Sequence, residues 1–258
     1  MMRSGLNEAL PALPEPGTEL LRVPLGARLR CFLIERLLRK RLRAVEAQGL
    51  PLLACFPLDS IGREIVSDGF YERELLAALF DGLLAAHAQR FSAMAAIDVG
   101  ANIGNHSCFF APRFRQVVSF EVNPTAAKLL EANAMFNGYG NVSVRNVGLG
   151  DEPASLVFEE FKRGNLGRSR FVDAAPAGLG ARRLPVERYD DLEEGLGLEA
   201  PVALVKVDVE GFEFRVLRGM RRMLERDRPF VMFESHTAGG EHGGRALFEL
   251  LRTMGYRR

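Results

Sequence analysis

From residue 94 onward, short apolar runs alternate with longer stretches that repeat every three to four residues. Runs at 93–99, 117–121, 141–147, 202–209 and 230–234 have the length and apolar character of buried strands. Between them, 103–110, 124–137, 213–225 and 243–254 carry a helical period, and Pro124 stands at a first turn, where its missing N–H costs nothing. Two short extended segments, 154–159 and 184–188, flank a loop rich in Gly and Arg and predict an antiparallel insertion. Strands that alternate with helices predict an α/β fold: a parallel sheet with helices on both faces.

The first part of the chain follows another pattern. Residues 1–24 contain Pro11, Pro14 and Pro16 and read as irregular. Residues 28–48 predict a helix with Leu29, Leu33, Ile34, Leu37, Leu38, Leu42 and Val45 on one broad face and Arg36, Arg39, Lys40, Arg41 and Arg43 on the other. Such a helix can lie on an anionic membrane or dock a protein partner. The plainer expectation is a helix packed in its own domain with a solvated basic face. Residues 56–66 read as a short hairpin or irregular β element, and 68–72 lead into a helix at 72–87. The expected organisation is an N-terminal helical appendage at 1–66 and an α/β domain at 67–258.

Composition narrows the class. A chain of 258 residues with net charge +1 carries no global field that would gather nucleic acid. Cys31, Cys55 and Cys108 form no metal or redox spacing and read as reduced thiols. The N-terminal stretch lacks a signal-peptide core, and no apolar run approaches the roughly 18 residues that span a bilayer. A cytoplasmic location is the expectation.

Candidate chemistry begins with DVGANIG, Asp98 to Gly104, a strand end followed by a glycine turn and a helix start. Glu121 closes the next strand about 20 residues after the glycines, where nucleotide-binding sheets keep a carboxylate for a ribose diol. A dinucleotide fingerprint needs a middle glycine for the close approach of a pyrophosphate. Here that position is Asn102, between Gly100 and Gly104, and Asn tolerates a left-handed backbone. The acid at Asp98 also suits a cationic ligand better than a phosphate. A sulfonium cofactor, S-adenosylmethionine, fits these residues better than a nicotinamide dinucleotide.

The blocks DVGANIGNHSCFFA, SFEVNP, KVDVEGFEFRVLRG and FVMFESH, in that order, resemble the FkbM family of S-adenosylmethionine-dependent methyltransferases. The lead-in Gly69-Phe-Tyr-Glu72 and the stretch NVSVRNVGLGDE at 141–152 resemble it too, so the similarity runs from about residue 56 to 256. The resemblance implies a Rossmann-like class I methyltransferase sheet and O-methylation of a hydroxyl on a sugar, glycan or other natural product. It places Asp98, Gly100, Asn102 and Gly104 at the methionine end of the cofactor and Glu121 on the ribose. Asn146, Val147 and Gly148 would lie near the adenine, and Asp208 would face the transferable methyl. Two departures stand out. Val122 replaces the commoner proline, and the last two strands of the class I sheet are missing from the pattern. The strand at 230–234 would then be a sheet edge, expected to be covered by the N-terminal region or by a homodimer partner.

Methyl transfer to a hydroxyl needs alignment and a base that takes the proton. Strand-end candidates are Asp208, Glu210, His106, Glu234 and His236, with Asp208 and His236 preferred as catalytic groups. Glu210 and Glu213 also suit the start of the next helix. A divalent ion held by Asp208 with Glu210 or Glu234 is the less favoured arrangement. The loop 237–244, with four glycines, reads as a lid or a flexible connection. Amino-group methylases of nucleic acids carry an Asn/Asp-Pro-Pro-aromatic loop where this chain has DVEG. The competing reading is a weakly catalytic or non-catalytic partner protein of the same fold.

Overall fold

The computed structural model describes residues 25–159, 169–172, 182–234 and 244–257. The chain divides into two compact units, residues 1–40 and 41–258, so residues 41–66 group with the α/β part. In the first unit the described residues are helical, from the start of α1 (Leu25–Ala47). Leu29, Phe32, Leu33, Ile34, Leu37 and Leu38 are exposed there, and Arg39 pairs with Glu35 one turn away.

The second unit holds α2 (Ser60–Asp68), α3 (Arg73–Ala77), α4 (Ala88–Phe91), β1 (Ala95–Val99), α5 (Asn105–Phe110), β2 (Gln116–Phe120), α6 (Pro124–Phe136) and β3 (Val142–Arg145). After these come β4 (Gly148–Gly150), β5 (Ala154–Glu159), β6 (Arg170–Val172), β7 (Arg182–Arg188) and α7 (Tyr189–Leu192). The series ends with β8 (Val202–Val207), α8 (Glu213–Gly219), α9 (Arg221–Asp227), β9 (Phe230–Phe233) and α10 (Gly244–Thr253). Five strands form a sheet in the order β3-β2-β1-β8-β9, and every pairing is parallel.

Alternation along β1 sorts its side chains between two cores. Ala95, Ile97 and Val99 join Val205, Val207, Leu217, Met223 and Leu247 on one face, which α8, α9 and α10 cover. Ala96 joins Phe70, Phe80, Phe91, Phe109 and Phe110 on the other, beneath the segments from α3 to α5. Helices therefore cover both faces, as the alternation predicts. The chain winds outward from β1 through β2 to β3, then returns to β8 on the other side and continues to β9. That reversal leaves a crevice at the carboxyl ends of β1 and β8, the usual ligand position in such sheets. A second sheet, β4-β7-β5-β6, has β5 antiparallel to both β6 and β7 and forms the antiparallel insertion.

Four sequence expectations need correction. Residues 56–66 form no hairpin, because α2 occupies 60–68. Gly69 ends it in a left-handed conformation with its N–H on the Ile65 carbonyl, and buried Gly62 lets the helix lie on the Phe56 backbone. The helix at 72–87 is broken into α3, a π turn (Ala78–Leu83) and a 3-10 turn (Ala85–His87) that set Phe80 and Leu84 into the core. The helix at 213–225 divides at Met220. A Cβ on the preceding Gly219 would overlap the Gly150 carbonyl, so α8 packs closely on β4. The run at 202–209 is buried over β8, Val202–Val207, but is not wholly apolar, since it contains the buried Lys206. Among the described residues β9 lies at the sheet edge beside β8, with Phe230 partly exposed.

Candidate active site

A cavity opens at the carboxyl ends of β1, β2 and β8, where the winding reverses. Its first wall is the turn after β1. Gly100, Asn102 and Gly104 all have positive φ, at 75, 49 and 87°. The N–H groups of Gly100 and Ala101 donate to the Phe120 carbonyl at 3.0 and 3.1 Å, which ties the turn to β2. A side chain at Gly100 would overlap the Asp208 carbonyl and one at Gly104 would strike Leu130, so both positions require glycine.

Glu121 is buried directly after β2. Its Oε2 accepts the Asn102 N–H and its Oε1 accepts the Asn123 N–H, both at 2.7 Å. Each oxygen keeps a lone pair for a further donor. Burial pushes this carboxyl up to about 7, against the two backbone N–H bonds and Lys206, which lower it. Asn146 Nδ2 donates to the Glu121 and Val122 carbonyls at 2.7 and 3.0 Å, so it braces the loop behind the carboxylate. Beyond it, Val147 and Gly148 join an aromatic wall in which Phe171 lies 5.6 Å from Phe158 and 5.3 Å from Phe212 between ring centroids. A Cβ on Gly148 would press into the Phe171 ring, so glycine admits that ring.

Beneath the turn runs a buried polar row. Strand register sets Ser119, Asp98 and Lys206 side by side across β2, β1 and β8, on the face under α5. Ser107 of α5 donates to Asp98 Oδ2 at 2.6 Å and accepts from Ser119 at 2.8 Å. Lys206 Nζ stands 3.4 Å from Asp98 Oδ1 and 3.2 Å from Asp208 Oδ2, and donates to the Gly100 carbonyl at 3.3 Å. Burial alone would lower the Lys206 ammonium, but Asp208 and Asp98 outweigh it and hold the group cationic. For Asp208, burial raises the carboxyl, while Lys206, His106 and a hydrogen bond with Glu234 bring it below the usual carboxylate range.

The opposite half of the cavity is lined by Tyr71, His106, Asp208, Glu210 and Glu234. Glu210, like Asn102, has a left-handed backbone, φ 49°. Burial, then Glu72 and Asp208, push the Tyr71 phenol up, so it stays a neutral hydroxyl.

Gly100, Asn102, Glu121, Val147, Gly148 and Asp208 thus line one cavity, as do His106, Glu210 and Glu234. Asp98 lies under its floor, Gly104 caps α5, and Asn146 acts from behind the wall. His236 lies outside the described residues, as does most of the loop 237–244. Among the described residues no group of three or more His, Cys, Asp or Glu side chains is placed to hold a metal ion. No described helix is long and apolar enough to cross a membrane. Sequence reasoning missed Lys206, Ser107, Ser119, Tyr71 and Glu72. The one legible signal was a lysine in the middle of a buried apolar strand, where an unpaired ammonium is too costly to keep.

AglP, a hexuronic acid methyltransferase of Haloferax volcanii, is 32% identical over 139 residues, 54% of this chain and 54% of its own. The chain thus spans about half the length of this curated relative. Among solved structures, the FkbM methyltransferase of Methylobacillus flagellatus KT aligns over 82% of this chain and 58% of that one, at 17% identity and a TM-score of 0.42. Precorrin-6y C5,15-methyltransferase of Geobacter metallireducens GS-15 aligns over 68% and 69%, at 14% identity and a TM-score of 0.39. The family model described as the methyltransferase FkbM domain matches residues 98–258, more than half of the sequence, and the chain belongs to that family.

Proposed function

We propose that this protein is an S-adenosylmethionine-dependent O-methyltransferase whose acceptor is a hydroxyl on a sugar or glycan. The observation that carries the reading is the convergence of Glu121 and Asp208 on one cavity at the sheet's switch point. Glu121 offers two carboxylate oxygens with spare lone pairs, the acceptor set that a ribose diol requires. The Gly100–Gly104 turn takes the methionine portion, and Val147, Gly148 and the Phe171 wall receive the adenine. The sulfonium supplies an activated methyl with a neutral thioether as leaving group.

The protein's own work is to align the acceptor, exclude water and remove a proton. Asp208, held ionised by Lys206, stands where it can accept a hydrogen bond from the acceptor hydroxyl and favour the cationic methyl donor. The Asp208 carboxylate makes this half unsuited to an anionic nucleophile, which favours a neutral hydroxyl. The sugar class draws support from the hexuronic acid relative.

Calorimetry with S-adenosylmethionine tests the first half of the proposal. Transfer of a radiolabelled methyl to p-nitrophenyl glucosides and glucuronides tests the second. No cofactor binding sinks the whole reading; binding without transfer to any of these sugars removes the acceptor class.

A further inference from the structure

A second constellation touches this cavity from the segment before β1. His106, on the first turn of α5, is buried and lines the acceptor half. Its Nε2 stands 3.1 Å from Oε2 of Glu72. Nε2 is the ring nitrogen within ion-pair distance of Glu72, and Nδ1 is the other. The Tyr71 ring meets the imidazole edge-on at 6.4 Å and Phe110 packs on it at 6.1 Å between centroids, so the ring is held from three sides.

Glu72 is delivered to this contact by an unusual backbone. It has φ 54°, a left-handed conformation that a residue with a Cβ enters only at a cost. Two clamps hold it there. The Glu72 N–H donates to Glu64 Oε1 at 2.9 Å. Its neighbour Tyr71 is gripped on both sides by Asn105, whose Oδ1 accepts the Tyr71 N–H at 3.3 Å and whose Nδ2 donates to the Tyr71 carbonyl at 3.1 Å. Asn105 directly precedes His106, so the residue that fixes the strained segment also begins the helix that carries the imidazole. The contact with His106 holds the Glu72 carboxyl below its ordinary range although burial opposes it. A strained residue beside a cleft, over-determined by such contacts, is the pattern of a functional constraint.

We infer that His106 is the general base of the methyl transfer, with Glu72 as the positioning residue that keeps the proton on Nε2 and leaves Nδ1 bare. The inference rests on the methyl-transfer reading above. In the step, the acceptor O–H bond breaks and its proton passes to Nδ1 as the oxygen forms its bond to the methyl carbon. The C–S electron pair returns to sulfur. The positive charge lost by the sulfonium reappears on the imidazolium, where the Glu72 carboxylate stabilises it. This division of labour leaves Asp208, whose carboxyl is a weak base, to orient and to complement charge.

The test combines a spectroscopic and a kinetic readout. Nitrogen-15 NMR of the neutral ring, with the His106 signals identified by their loss in His106→Gln, should show the proton on Nε2 in the wild type and a mixture of tautomers in Glu72→Ala. In His106→Gln, methyl transfer to the p-nitrophenyl sugar should fall by about 10²-fold or more in kcat, the usual worth of a general base, with the calorimetric affinity for S-adenosylmethionine unchanged. Glu72→Ala should lower kcat without raising the acceptor KM. A wild-type ring protonated on Nδ1, or an active His106→Gln, overturns the inference. Beyond the assignment by His106→Gln, the wild-type tautomer needs no acceptor to turn over. Absence of transfer to any sugar therefore strikes the function proposal, and the tautomer still judges the dyad.

Discussion

If the buried Glu121 carboxylate holds the ribose as proposed, it should couple cofactor binding to protons. Burial pushes it up to about 7, well above an ordinary glutamate. A ribose diol donates two hydrogen bonds and therefore selects the ionised form. If the protonated form binds negligibly, the ionised fraction falls from about nine-tenths at pH 8 to about one-tenth at pH 6. Affinity should fall about tenfold over that interval, or about 1.4 kcal/mol. Near pH 7 binding should release about half a proton from this group, measurable by calorimetry in buffers of different ionisation enthalpy.

The ligand's amino group also titrates, so the diagnostic quantity is the difference between wild type and Glu121→Gln, which share the ligand's contribution. Stability follows the opposite sign. A carboxyl raised on folding contributes its stability below the unfolded value near 4.5, and loses it as pH climbs through about 7. The loss at alkaline pH is about 3 kcal/mol. S-adenosylmethionine should accordingly raise the melting temperature more at pH 8 than at pH 6. Identical pH slopes for wild type and Glu121→Gln would refute the reasoning.

Three further outcomes are expected. Asp208→Asn keeps the shape but removes the charge, and should cut turnover by about 10²-fold with the affinity for the neutral S-adenosylhomocysteine nearly intact; full activity would take Asp208 out of the mechanism. Lys206→Met strands the buried Asp98 carboxylate and should cost about 3–5 kcal/mol in urea unfolding. In the double variant with Asp98→Asn much of that loss should return, and purely additive losses would disprove the pairing. Gly100→Ala forces a Cβ against the Asp208 carbonyl at positive φ and should destabilise by at least about 1 kcal/mol, read from the melting transition.

The central sheet was legible because parallel strands covered on both faces must be apolar, and because the turns between them need glycine at defined places. Gly100, Gly104 and Glu121 could be placed for that reason. The short upstream elements could not. In 60–68 the apolar Ile61, Ile65 and Val66 fit either period, and the deciding contact, Gly62 against the Phe56 backbone, is tertiary. The partners of the candidate base were hidden for a similar reason. Glu72 and His106 are 34 residues apart, and only the packing of the 70–72 segment on α5 brings them together. Lys206 shows the converse. Its burial was implied by its strand, but its use depends on register, which sets it beside Asp98.

That register joins the two halves of the cavity. Lys206 touches Asp98 under the 100–104 turn, the Gly100 carbonyl within the turn, and Asp208 in the opposite half. The Gly100 backbone in turn abuts the Asp208 carbonyl so closely that no side chain fits between them. The position of the Asp208 carboxylate is therefore set by the same lysine and glycine that shape the turn proposed to take the methionine portion. Within this group two carboxylates share one ammonium, so the local charge is negative. A sulfonium entering beside it is attracted, whereas the neutral thioether left after transfer is not. By this argument the arrangement favours the methyl donor over its product, and the preference should weaken when Asp208 loses its charge. Comparing the affinities of S-adenosylmethionine and S-adenosylhomocysteine in wild type and Asp208→Asn measures it directly, and an unchanged ratio would mean that the negative charge does no such sorting.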